Sequence, residues 1–263
     1  MKHSPLSTGT AAIERALTLM FAIIEDGGQR SLAEHAEIMG LPYSTANRMA
    51  GLLERMGLLV RVGRGRYLAG LAFPGRVAPE QRNKVVAAAA RPLLRKLARE
   101  TKLTTHLGVW ADEASMVHYI VKESIGPRSM FTQEDSQLEA YCSAIGKVLL
   151  AHLPVERLAA YLSGGGFVAL TANTITDPGR LAELLKEVAA DGYGFDRREI
   201  DERLCCVAVP VRFRGEVIAA ISVSRIGAAE NFTEPPAGLL ACARSLEQRL
   251  SGKMAIVSES PTS

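Results

Sequence analysis

Several things are scarce in this chain, and each absence narrows its function. No apolar run approaches the roughly 20 residues of a membrane span, so no membrane partner is expected. The first ten residues, MKHSPLSTGT, lack the apolar block of a secretory leader, and a cytoplasmic location is expected. Cysteine is sparse: Cys142, Cys205, Cys206 and Cys242 show no Cys-x-x-Cys spacing, and two are adjacent. That pattern suits neither a zinc site nor an ordinary disulfide, and reduced thiols are expected. The five histidines, His3, His35, His106, His118 and His152, have no paired ligand spacing, so a metal-sensing reading ranks low. No glycine-rich loop follows a strand and opens a helix, and no cofactor is expected. Gly164-Gly165-Gly166 reads as a plain loop. The net charge of +3 is nearly neutral for a chain of this length, so any surface for nucleic acid must be local.

What is present suffices for two domains. The chain has 263 residues and is 48% hydrophobic, enough for a substantial core. Residues 11–25 place Ile13, Leu17, Met20, Ile23 and Ile24 on one helical face. Asp26-Gly27-Gly28 ends that helix. Ser31 and Glu34 then form a Ser-x-x-Glu capping box, with Leu32, Ala36 and Met39 facing inward and Gly40 as terminator. Pro42 suits the first turn of a third helix. Ala46, Met49, Leu53 and Met56 fall on one side of it, and Ser44, Asn47, Arg48 and Gly51 on the other. Arginine can bond guanine bidentately and asparagine can bond adenine, while short side chains allow close approach to the groove. Residues 58–62 and 66–71 read as strands around Gly63-Arg64-Gly65, with Arg61, Arg64 and Arg66 at the tip. Such a tip grips phosphate or enters a minor groove. The whole is the outline of a winged helix-turn-helix over residues 1–71, the bland alternative being a helical hairpin with solvated charges. Its candidate DNA contacts are Arg15, Tyr43, Ser44, Thr45, Asn47, Arg48, Arg64 and Arg66.

Residues 72–100 read as a linker and linker helix. Residues 72–81 hold Pro74 and Pro79 without clear periodicity, and residues 84–101 are helical, with Pro92 set to kink or interrupt them. Beyond lies a mixed domain over residues 101–251. Strands are expected at 104–110, 116–121, 204–213 and 217–223, with turns at Asp112-Glu113 and Arg214-Gly215-Glu216. Helices are expected at 143–153, 155–162, 177–191 and 236–250. The polar tail, residues 252–263, is expected to be disordered. A mixed sheet flanked by helices suits a small-molecule pocket.

These segments together resemble the IclR family of bacterial transcription regulators. The amino-terminal resemblance rests on Gly40-Leu41-Pro42, Ser44-Thr45, Arg48 and Gly57-Leu58. In the second domain it rests on Ser143-Ala144-Ile145-Gly146-Lys147 with Leu149-Leu150-Ala151, and on Thr174-Ile175-Thr176-Asp177. Gly192-Tyr193-Gly194-Phe195-Asp196, Glu199, Cys206-Val207-Ala208-Val209-Pro210-Val211 and Ile221-Ser222-Val223-Ser224 complete it. The resemblance implies an α+β protein: a winged helix-turn-helix joined by a linker helix to a GAF-like α/β effector-binding domain. It also implies a homodimer or tetramer on a double-stranded operator, controlled by a small organic acid or aromatic metabolite. Three features depart from the family pattern. Arg203 precedes Leu204, Arg197 and Arg198 follow Asp196, and Tyr141 stands where histidine is frequent. They leave an aliphatic and an aromatic acid both open.

The expected effector contacts are Met130, Ser143, Ala144, Ile145, Asp196, Leu204, Cys206, Ser222 and Ser224. Ala144 and Ile145 lie at a helix start, where spare N–H groups favour a carboxylate. Ser222 and Ser224 alternate on a strand and so share a face. Cys206 adds a polarizable donor, Asp196 a partner for a hydroxyl, and Met130 and Leu204 apolar wall by similarity with the family's pocket. The competing reading is a hydrolase with Cys206 as nucleophile and His106 or His118 as base. A lone cysteine with scattered histidines and no nucleophile turn is a weak signal for it, so no catalytic residue and no enzyme activity are expected.

Overall fold

The computed structural model describes residues 8–72, 79–111, 115–125, 133–227 and 232–251. It divides into two compact units, the first running to Ala89 and taking in the residues from Gln248 on, the second covering Ala90–Glu247. Met130, the Asp112-Glu113 turn and the tail from residue 252 lie outside the described residues.

In the first unit, α1 (Thr8–Asp26), α2 (Leu32–Ile38) and α3 (Tyr43–Arg55) precede a hairpin of β1 (Leu59–Gly63) and β2 (Arg66–Ala69). Ser31 caps α2 as its spacing predicts: its Oγ accepts from Glu34 N, and Glu34 Oε2 accepts from Ser31 N at 2.7 Å. These bonds satisfy donors that a helix start leaves unpaired. Leu19, Met20, Ile23, Leu32, Ala36, Ala46, Ala50 and Leu53 form the core, closed by Leu59 and Tyr67 of the hairpin. Ile13 and Leu17 do not join it. They are 64% and 44% exposed, because the buried arc of α1 turns through Leu19 and Ile23 instead. Met56 is also exposed: it is the C-cap of α3, past the last helical turn. Pro42 is the N-cap and not a first-turn residue.

α4 (Pro79–Thr101) begins earlier than its periodicity suggests and continues through Pro92. The second unit is built on one antiparallel sheet of six strands in the order β5-β4-β3-β8-β7-β6. These are β3 (Thr104–Trp110), β4 (Met116–Glu123), β5 (Gln137–Glu139), β6 (Gly194–Arg197), β7 (Leu204–Phe213) and β8 (Glu216–Ile226). The two edge strands, β5 and β6, are additions to the sequence reading. The helices are α5 (Ala144–Leu150), α6 (Val155–Gly164), α7 (Pro178–Asp191) and α8 (Ala237–Ser251). α7 opens on the Asp177 cap and closes on Gly192 in the left-handed conformation (φ 77°), both as expected.

α5 is buried along its whole length and rests on one face of the sheet. Two glycines let it come that close. A Cβ on Gly108 of β3 would lie 2.7 Å from the Ile145 side chain, and one on Gly146 would lie 2.2 Å from the Ala140 carbonyl oxygen. The obstacle at Gly146 is backbone, which cannot swing aside. Gly146→Ala is therefore expected to destabilise the protein by at least about 2 kcal/mol, the range of severe core substitutions. Urea unfolding measures it, and a loss below about 0.5 kcal/mol would contradict this packing.

Candidate functional site

α3 presents Tyr43, Ser44, Asn47 and Arg48 to solvent, with Thr45 and Gly51 partly covered. Its opposite face, Ala46, Ala50 and Leu53, is buried, so the polar side is held outward. The hairpin tip Gly63-Arg64-Gly65 turns entirely at positive φ, with Arg64 at 45°, a conformation its two glycines favour. The Gly65 carbonyl accepts from Leu32 N at 2.8 Å, which ties the tip to the start of α2. Arg61, Arg64 and Arg66 are all exposed there. Arg15 is exposed too, but on α1 and away in sequence from both the helix face and the tip.

The second unit contains a cavity of about 10 Å³. It is lined by Ser143, Ala144, Ile145, Asp196, Leu204, Cys206, Ser222 and Ser224, which include every described residue expected to contact an effector. His106, Tyr119 and Ile200 also line it, and the sequence reading did not place them there. The space is tight: unoccupied room amounts to about one water, so a larger molecule must push the walls apart.

Strand register builds the floor. Asp196 on β6 pairs with Cys206 on β7, which pairs with Ser224 on β8. Two residues along, on the same face, Ser222 on β8 pairs with His106 on β3. The wall is the start of α5. Ser143 is its N-cap, with Oγ accepting from Gly146 N at 3.0 Å.

Asp196 is 1% exposed. Its Oδ1 accepts from Glu199 N at 2.7 Å, closing a tight turn, while Oδ2 has no hydrogen-bond partner among the described residues. Burial pushes the carboxyl up to about 7, against the Glu199 N–H and the nearby Lys147 ammonium, which favour the charge. The turn itself is pinned by charge. Lys147 of α5, fully buried, donates to Glu199 Oε1 and to the Phe195 carbonyl at 2.9 Å. Thr171 and Thr174 donate to the Arg198 and Glu199 carbonyls at 2.6 and 2.7 Å. Arg198 between them is held in the left-handed region at φ 66°.

The same geometry opposes a cysteine nucleophile. Burial first, then the Asp196 carboxylate, pushes the Cys206 thiol well above its ordinary range, where it is not a thiolate. Burial, then Lys122, pulls His106 down to about 3, so its imidazole is a weak base. His118 is not among the cavity residues; its Nε2 lies 3.4 Å from Asp135. Among the described residues no group of three or more His, Cys, Asp or Glu could hold a metal.

A helix-turn-helix with a basic wing, together with a separate α/β unit that holds a small internal cavity, is the plan of a DNA-binding regulator. Residues 12–63 match the IclR helix-turn-helix domain, and residues 81–247 match the C-terminal domain of the bacterial transcriptional regulator IclR. The chain belongs to the IclR family of bacterial transcriptional regulators. The HTH-type transcriptional regulator Rv1719 of Mycobacterium tuberculosis is 36% identical to it over 219 residues, 82% of this chain and 83% of that protein. Two solved structures share the fold. One is an IclR homolog from Microbacterium hydrocarbonoxydans complexed with 4-hydroxybenzoate (22% identity, TM-score 0.61, covering 92% of this chain and all of that one). The other is the inducer-binding domain of the Acinetobacter PobR transcription factor, a double mutant with 3-hydroxybenzoic acid (24% identity, TM-score 0.56, covering 62% and 97%). No described helix is long and apolar enough to cross a membrane.

The Asp196 carboxyl gives a test of the cavity's electrostatics. An unfolded aspartate titrates near 3.9. Between about pH 4 and 7 the native protein therefore keeps a proton that the unfolded chain has released, and stability falls as pH rises, levelling off above about 7. The stability difference between wild type and Asp196→Asn, followed by urea unfolding from about pH 4.5 to 8, is expected to fall by the same course. A difference independent of pH would contradict a carboxyl raised by burial.

Proposed function

We propose that this regulator's operator binding is modulated by a small organic acid held in the cavity of its second unit. The observation that carries the reading is the convergence of Ala144, Ile145, Asp196, Cys206, Ser222 and Ser224 on one small cavity. Ala144 and Ile145 head α5, where first-turn N–H groups are spare for a carboxylate. Two fold neighbours were crystallised with aromatic acids, 4-hydroxybenzoate and 3-hydroxybenzoic acid. Met130 is proposed as further apolar wall.

On the DNA side, α3 lies in the major groove with Ser44, Asn47 and Arg48 towards base edges, and Tyr43 and Thr45 at the backbone. Arg64 and Arg66 of the wing and Arg15 of α1 meet phosphate. The protein acts in the cytoplasm as a homodimer or tetramer on paired half-sites. The exposed apolar residues Ile13 and Leu17 of α1 support self-association. Coupling requires that the effector bind the DNA-bound and free forms with different affinity. It is not an enzyme: the raised Cys206 thiol and neutral His106 leave the hydrolase reading without a nucleophile or a base.

Arg48→Ala is expected to weaken binding to a selected operator by about 1–3 kcal/mol while changing binding to scrambled DNA far less. Fluorescence anisotropy on both DNAs checks it, and equal losses would contradict base readout. Arg64→Ala is expected to weaken both DNAs together and to reduce the slope of log affinity against log salt by about 1. An unchanged slope would take the wing tip off phosphate.

A further inference from the structure

We propose that the second unit carries a binding site for a linear di- or polyamine in the cleft between α7 and β6, because a row of unpaired carboxylates runs along one wall of that cleft and a buried carboxylate at its floor lacks a partner. The cleft shares no lining residue with the effector cavity, and the site does not depend on the reading of that cavity.

The cleft has a volume of about 510 Å³. Its α7 wall follows from helical spacing. Glu183, Glu187 and Asp191 stand four residues apart, so they share one face and lie about 6 Å from one another along the axis. Nothing within the helix favours this row. Carboxylates at that spacing repel, and Asp191 stands at the end where the helix dipole disfavours negative charge. No basic residue occupies the last turn to offset it. None of the three side chains has an ion pair or hydrogen bond among the described residues. Arg180 and Arg197 also line the cleft without pairing with them. Arg197 lies over the Phe195 ring at 4.4 Å, and Arg180 stands at the other end of α7 from Asp191.

The floor supplies an independent observation. Glu199 is 3% exposed and lines the cleft. Its Oε1 accepts from Lys147 and from Arg197 N at 3.3 Å, while Oε2 is buried without a hydrogen-bond partner among the described residues. A buried carboxylate oxygen is costly until a donor reaches it. Lys147 balances the charge of Glu199, so the rest of the lining sets Glu183, Glu187 and Asp191 against Arg180 and Arg197. That excess selects a cation that can donate hydrogen bonds.

Spacing decides which cation. No three His, Cys, Asp or Glu residues among those described could hold a metal ion. The charge is spread along a line instead. Leu184 and Val188 lie beside the acids on the same wall, with Tyr193 and Phe195 on the other. A methylene chain with ammonium groups at intervals has the matching pattern. Its nitrogens meet carboxylates, its carbons cover the apolar side chains, and the aromatic rings offer their faces to an ammonium.

The test titrates spermidine and putrescine into the full-length protein by calorimetry, without DNA and at low salt. Butylamine, magnesium chloride and sodium phosphate are the comparisons: a single charge on the same chain, a compact divalent cation, and an anion that would seek Arg180 and Arg197. Spermidine is expected to bind about tenfold or more tightly than butylamine or magnesium, since linked charges act together. Glu187→Gln is expected to weaken it about threefold, and Glu187→Gln combined with Asp191→Asn about tenfold. Glu156→Gln on α6, an exposed acid outside the cleft, is expected to leave it unchanged. All three side chains are exposed, so the variants keep the fold, which thermal unfolding checks; the comparison of ligands on the wild type needs no variant. Absence of amine binding, butylamine or magnesium binding as tightly as spermidine, or equal weakening by Glu156→Gln would overturn the proposal. So would phosphate binding more tightly than either amine.

Discussion

The buried ion pair between Lys147 and Glu199 is the contact on which the cavity depends. It joins the middle of α5 to the turn after β6, two elements that otherwise meet through backbone and small side chains. Both charges are almost fully removed from water. Such a pair adds little net stability, since desolvation offsets most of the attraction, but losing one partner strands a charge at a cost of about 3–5 kcal/mol. Its contribution here is placement. With Lys147 fixed, the Phe195 carbonyl and Glu199 are fixed. The Glu199 N–H then fixes one oxygen of Asp196, which leaves the other facing the space. The threonines of the preceding loop brace the same turn and hold Arg198 in its left-handed conformation.

The reading head is built with different means. Its core is small, so local signals do much of the work: a reciprocal cap on α2, a tip of glycines around Arg64, and a carbonyl bond from that tip to α2. The core takes the small residues Ala46 and Ala50 from α3, which lets that helix sit close while its polar face stays outward. Function on the two sides follows from opposite treatments of polar groups. On α3 they are exposed and available to a large anionic partner; in the cavity they are buried and available only to a molecule that replaces water.

Local chemistry made much of this legible from the chain. The capping box of α2, the glycine tip of the hairpin and the start of α7 at Asp177 each need only a few adjacent residues, and each forms as read. Alternation on β8 correctly put Ser222 and Ser224 on one face. The edge strands were not legible, because β5 and β6 are three and four residues long, too short for a periodic signal. His106 and Tyr119 reach the cavity through the pairing of β3 with β8 and β4, which no local window contains. A signal for His106 did exist: it is a polar residue sharing a strand face with Gly108, followed by the apolar run Leu107 to Trp110. Lys147 and Glu199 were noted as motif positions 52 residues apart, and only the fold shows that they are a pair. Ile13, Leu17 and Met56 fit a helical stripe but not the core, since periodicity shows which residues share a face and not where that face ends.

On the proposed function, occupation of the cavity changes the protein's hold on DNA. The direct measurement is a linked titration: anisotropy of a labelled upstream operator fragment with the full-length protein, at fixed salt, with and without a saturating acid whose binding has been established by calorimetry. The account predicts a shift in operator affinity of about 1–3 kcal/mol, and an equal shift in the acid's affinity when operator is present. An acid that binds the cavity yet leaves operator affinity unchanged would contradict it, because a ligand with equal affinity for both forms regulates nothing.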